Sequence, residues 1–177
     1  MKKIGILTLP NKYNYGALLQ TYSLCNYFKN LGHEVKVINY QNIRYSALEH
    51  LYYLVFETNI FLNFFLKKNT RPKFNSTDRY YHIDKNILDN FDYIVYGSDE
   101  LWNLGRKSIG LDTIYFGKIS SKKHIKVSYS CSFGNTDIKN SKLKIIKKFL
   151  KNIKSISVRD NNSKLIIKKL LNKNCQV

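Results

Sequence analysis

With 177 residues, 44% of them hydrophobic and 14% aromatic, the chain can bury a sizeable core unaided, which excludes a disordered segment and a disulfide-stapled miniature scaffold. The net charge of +18 is lopsided: from Lys118 to Val177 sixteen Lys and Arg face only Asp137 and Asp160. Solvated lysine faces explain this better than attraction to anionic lipid or phosphorylated substrates, and no nucleic acid is expected, because aromatic residues do not interleave with the basic run at 139–173 as base stacking requires.

MKKIGILTLP imitates a signal peptide, but its apolar run is short and meets Pro10 and Asn11 without a small-residue cleavage site, so 3–9 reads as a first strand. From Gly16 onward Ala17, Leu24, Phe28 and Leu31 recur at helical spacing, Gly32 stands where a C′ glycine ends a helix, and 34–40 reads as a second strand. Residues 43–85 form an aromatic-rich insertion, with a helix expected at 47–66 and a polar loop at 67–81. Its apolar part, Leu51 to Leu66, is interrupted by Glu57, Asn59 and Asn63 and is shorter than the ~20 residues of a membrane span. That helix is expected either to cover a sheet edge or to touch a membrane surface.

Alternation then resumes, with a short helix at 84–90, strands at 92–96 and 125–132, a helix at 139–154, a strand at 155–158 and a helix at 161–171. On the helix at 139–154, Leu143, Ile146, Leu150 and Ile153 share a stripe while Lys144, Lys147, Lys148 and Lys151 fall away from it. The repeated βαβ pattern predicts an α/β fold with an open, mostly parallel sheet covered by helices on both faces. Asn174-Cys-Gln-Val reads as the start of one more strand, so the chain is expected to break off inside a fold.

Cys25, Cys131 and Cys175 show no CxxC or Cys/His ligand spacing, which predicts free thiols in a reducing cytoplasm and no metal. In open parallel sheets ligands bind beyond the carboxyl ends of the strands, which directs attention to four loops. Gly16 near a helix N-terminus can receive an anion or can simply make a turn, and the loop matches neither GxGxxG nor a P-loop. In GSDELWN at 97–103, Gly97 allows close approach, Ser98 adds a polar group, and Asp99 can be a general base or an N-cap. Trp102 offers a flat face for a sugar. Ser132 and Gly134 end the fourth strand, where a ligand or a following helix can lie close. Arg159 can hold a carboxylate or phosphate, or pair with a neighbouring acid. The four histidines, His33, His50, His82 and His124, read as surface or packing residues.

Taken in order, MKKIGILTLPNKYNYGALLQTYSL, LGHEVKVINY, FDYIVYGSDELWN, VSYSCSFG and SISVRD resemble the successive signatures of the polysaccharide pyruvyl transferase family, over nearly all of the chain except 43–85. The resemblance implies a glycosyltransferase-B-like architecture of two Rossmann-like domains, of which 1–177 is the N-terminal one and the second is missing, so that the chain alone is expected to be inactive as a pyruvyl transferase. It implies phosphoenolpyruvate as donor substrate, no cofactor, and a sugar or lipid-linked glycan as acceptor. Asp99 is implied as the catalytic residue, and Asn14, Tyr15, Gly16, Gly97, Ser98, Trp102, Asn103, Ser132, Gly134 and Arg159 as substrate-binding. A cytoplasmic location, with peripheral contact at the inner face of the cell membrane, goes with such an acceptor. Glu100 departs from the Gln common among members, Ser130 and Cys131 from Ala, and Asp160 from Glu. A sugar-nucleotide glycosyltransferase of the same architecture and a non-catalytic binding remnant are the competing expectations.

Overall fold

The structure, a computed structural model, describes residues 1–9, 15–40, 42, 77, 80, 83, 85–106, 111–119 and 123–177. Asn14, the helix expected at 47–66 with its membrane contact, and nearly all of the loop expected at 67–81 lie outside the described residues.

Five strands, β1 (Lys3–Leu7), β2 (Glu34–Val37), β3 (Tyr93–Tyr96), β4 (Ile125–Cys131) and β5 (Ser155–Val158), form one all-parallel sheet in the order β2-β1-β3-β4-β5. All five lie within the spans expected from sequence. The strand expected at 34–40 is shorter because Ile38 makes one more bond to the Ile6 carbonyl and the chain then leaves the ladder. Among the described residues four α-helices accompany the sheet: α1 (Tyr15–Asn30), α2 (Lys85–Leu88), α3 (Lys142–Leu150) and α4 (Asn161–Leu171).

Strand alternation divides the core into two layers. Ile4, Ile6, Val35, Val37 and Val95 pack with Leu24 and Cys25 of α1 on one face. Leu7, Ile94 and Tyr96 point the other way, into a larger cluster that takes in Leu143, Ile146 and Leu150 of α3 and Ile166, Ile167 and Leu170 of α4. Each such fully buried aliphatic side chain contributes about 1.5–3 kcal/mol relative to exposure. The lysines of α3 are exposed, as its stripe predicts.

Local chemistry sets the ends of the helices. After α1, Gly32 (φ +80°) donates to the Lys29 carbonyl and His33 to that of Phe28, the Schellman pattern that a left-handed residue makes possible. The helix expected from 139 starts later because Asp137 and Asn140 accept hydrogen bonds from the Lys139 and Lys142 amides and hold the segment in turns. Beyond α4 the Val158 amide donates to the Gln176 carbonyl, and Gln176 bridges Ser157 in parallel, at the place where a further strand is expected. Among the described residues no helix is long and apolar enough to cross a membrane, no cluster of ligating side chains is suited to a metal, and the three cysteines are unbridged.

One lysine departs from the solvated pattern. Lys126 of β4 is only 3% exposed, and its Nζ makes a single long bond, 3.5 Å, to the Gly117 carbonyl. Burial lowers its pKa from an ordinary 10.5 to about 8. Because the folded pKa lies below the unfolded one, the unfolded chain binds the extra proton between about pH 8 and 10.5, and stability attributable to this group rises with pH through that window. Lys126→Met should therefore stabilise the protein at pH 7 by roughly 1–3 kcal/mol, with the advantage shrinking towards pH 10. Urea denaturation at both pH values checks this; equal stability at pH 7 would contradict it.

Candidate functional site

The strand order places the topological switch between β1 and β3, where successive connections leave towards opposite faces and open a crevice at the carboxyl ends. Gly16 and Ser98 meet there along a groove of about 730 Å³ between α1 and the ends of β3 and β4, further lined by Gln20, Ser23, Tyr27 and Tyr129. On α1, residues 16, 20, 23 and 27 form one stripe at helical spacing, beside the buried stripe that carries Ala17, Thr21 and Leu24.

The turn after β3 is built by close contacts. Gly97 has φ +114°, the Gly97–Ser98 peptide is cis, and a Cβ on Gly97 would overlap the Tyr129 carbonyl oxygen and stand 3.1 Å from the Cys131 sulfur. Only glycine lets β3 end this close to β4. Opposite it, Ser130 has φ +49° and the β4–β5 register shifts between Ser128 and Cys131, a bulge at the rim of the sheet. The bulge leaves Tyr129 towards the groove while Cys131 joins the opposite core, its thiol donating to the Tyr96 carbonyl. Burial, reinforced by the nearby Asp99 charge, raises the Cys131 pKa well above that of a free thiol, so this sulfur is no nucleophile.

Asp99 follows Ser98 on the same rim and is 9% exposed. Its Oδ1 accepts from the Glu100 amide at 2.7 Å, while its Oδ2 is buried with no hydrogen-bond partner among the described residues. A helix cap, the competing expectation, would place its acceptor on an amide two or three residues ahead; the bond goes to the very next residue. The main chain here is stitched to the end of β4: the Ser132 amide donates to the Asp99 carbonyl, and the Trp102 amide to that of Ser132.

Next to Asp99, Glu100 ties the remaining loops together. It pairs with Arg159 at 3.3 Å and accepts from the Asn103 amide group at 2.9 Å; a Cβ on Gly134 would lie 3.1 Å from its Oε2. Ser132 donates its hydroxyl to Asp160 at 2.6 Å, and the other Asp160 oxygen caps α4 through the Ser163 amide. Partial burial works to raise the Asp160 pKa, but the bonds from Ser132 and Ser163 and the charge of Arg159 outweigh it and hold the carboxyl below its ordinary range. A depressed folded pKa means that the stability this group gives is present above its unfolded value and is lost as pH falls through the folded one. Asp160→Ala should cost about 1–2 kcal/mol near neutrality and flatten the acid limb of the stability profile, read from denaturation midpoints between pH 3 and 7.

Gly16, Ser98, Asp99, Gly134 and Arg159 thus share one rim, as the topology predicts. For Tyr15 only the backbone is described, as the first residue of α1. Trp102 is a correction: its ring is 0% exposed, packs on Phe116 and Phe133, and donates its indole N–H to the Tyr115 carbonyl at 2.9 Å. It is a core residue that offers no face to a sugar in this structure. Arg159 takes the second of its two readings, an ion pair, with Glu100 as the partner. His124 is a packing histidine, its Nδ1 set against Asp89 at 3.3 Å.

A search of curated proteins finds no match, and neither does a search of solved structures. The sequence profile of polysaccharide pyruvyl transferases matches residues 14–177, which include the α1 stripe, the Gly97–Asn103 turn, the β4 bulge and the Arg159–Asp160 rim. By that match over most of its length, this chain belongs to the polysaccharide pyruvyl transferase family.

Proposed function

We propose that the protein moves a pyruvyl group from phosphoenolpyruvate onto hydroxyls of a sugar unit in a glycan or its lipid-linked precursor, with Asp99 as the general base. The observation that carries this reading is the nine-tenths buried Asp99, whose Oδ2 has no partner among the described residues and which sits at the switch-point rim of a family member. A buried acceptor left unpaired costs about 1–3 kcal/mol, a cost relieved when a ligand hydroxyl donates to it. Oδ2 is the atom such a hydroxyl would reach.

The reaction needs one proton delivered to the methylene carbon of the donor, giving an oxocarbenium-like centre at the adjacent carbon. A first sugar hydroxyl adds there and gives up its proton. Phosphate then leaves with its bonding electron pair, and a second hydroxyl closes the ketal. Of the two hydroxyl protons, one balances the proton gained by the new methyl group and the other leaves with phosphate. Asp99 accepts the first of them.

Donor charge is the harder demand. On the described rim Arg159 is the cation beside Asp99, and Glu100 already engages it. In this proposal further cations come from a second domain that closes over the rim, as in a glycosyltransferase-B arrangement, and the work takes place at the cytoplasmic face of the membrane where lipid-linked acceptors reside. A donor trial on the chain joined to such a domain separates this from nucleotide-sugar chemistry. Acceptor-stimulated phosphate release from phosphoenolpyruvate is expected, and nucleotide release from a sugar nucleotide would overturn the reading.

A further inference from the structure

Resting on that reading of the rim, we propose that the groove between α1 and β4 is the acceptor-sugar subsite, with Tyr27 and Tyr129 as its stacking faces and Gln20 as its hydrogen-bonding anchor. Three observations converge on a neutral polyol. First, the groove keeps two large rings in water: Tyr27 is 61% and Tyr129 51% exposed. An aromatic face matches the C–H face of a pyranose, and the phenol hydroxyls add polar reach at its edge. Second, Gln20 lines the groove and its buried Oε1 has no hydrogen-bond partner among the described residues, so a hydroxyl donor is the complement it lacks. Third, the described lining contains no charged side chain, which suits a sugar and not a multiply charged donor.

Position adds the link to chemistry. Ser98 lines the groove, and Asp99 is its chain neighbour on the same rim. A volume of about 730 Å³ is within the range of small-molecule sites, roughly 300–1,000 Å³, and holds a sugar with part of its neighbour. The stacking role that the sequence suggests for Trp102 falls instead to tyrosines that three-dimensional packing leaves exposed.

Saturation-transfer NMR on the full chain, with the methyl glycosides of galactose and of N-acetylmannosamine as probes, tests this. Transfer to the ring protons of at least one glycoside is expected. Tyr129→Ala and Gln20→Ala should each weaken its binding by roughly tenfold. Tyr22→Ala, on α1 outside the groove, should leave binding unchanged. Absence of transfer with the folded wild type, or affinity unmoved by both Tyr129→Ala and Gln20→Ala, would overturn the proposal. Asp99→Asn keeps the two readings distinct. Loss of turnover with glycoside binding intact supports both. Groove variants that bind normally sink the subsite alone, and undiminished turnover in Asp99→Asn sinks the base alone.

Discussion

In the chain joined to a second domain, Asp99→Asn should leave the fold intact and lower pyruvyl transfer by roughly a hundred- to ten-thousandfold, the range in which a positioned general base contributes. The amide oxygen of asparagine can still accept from the Glu100 amide, which is the one hydrogen bond Asp99 makes through its side chain. The other position has no partner among the described residues to lose, so an NH₂ group there removes basicity without removing one of their contacts. Denaturation midpoints within about 0.5 kcal/mol of wild type, together with the loss of turnover, are the expected pair of results. If stability fell by several kcal/mol instead, Asp99 would be a structural acid and the turnover loss would say nothing of catalysis.

Gly97→Ala is expected to have the largest effect on stability, about 3 kcal/mol or more. Two costs combine at this one position. The backbone sits at φ +114°, a conformation that a side chain makes unfavourable, and the new methyl group would meet the backbone carbonyl of Tyr129, which cannot swing aside as a side chain could. Relief would require β3 and β4 to part at the end that carries Ser98 and Asp99. Gly105→Ala is the control: Gly105 is exposed, its φ is not in the left-handed region, and the nearest atom belongs to the Asn103 side chain, so a change within about 1 kcal/mol is expected. Urea midpoints for the two variants decide the matter, and equal stability would remove the close-approach argument.

Sequence legibility tracked how local each feature is. The strands could be read because apolar runs such as Ile4 to Leu7 and Tyr93 to Tyr96 carry their own signal, and because βαβ alternation forces parallel pairing. Parallel pairing in turn brings all strand ends to one rim, so the meeting of Gly16, Ser98, Asp99, Gly134 and Arg159 followed from topology without any knowledge of side-chain contacts. Features that depend on a particular neighbour were not readable. Trp102 looks like a platform when seen beside Asn103, and becomes core only once Phe116 and Phe133 arrive from other segments. The partner of Arg159 lies 59 positions earlier in the chain, at Glu100. Lys126 joins a strand that is otherwise half-buried, and its burial depends on the segment around Gly117.

The groove is the instructive omission. Gln20, Ser23 and Tyr27 carried a signal, a polar and aromatic stripe one step around α1 from the buried one, but Tyr129 reaches them only through the strand order and the bulge at Ser130. No spacing rule joins residue 27 to residue 129.

Whether the Asp99 rim directs a pyruvyl group onto a sugar is decided by following isotope-labelled phosphoenolpyruvate into product by NMR under single-turnover conditions, with the chain joined to a second domain and a galactose- or mannosamine-containing acceptor. The labelled carbon should appear as a ketal on the sugar, in step with phosphate release, and at least about a hundredfold more slowly with Asp99→Asn. Label that stays in phosphoenolpyruvate or ends as free pyruvate while the acceptor goes unmodified would contradict it.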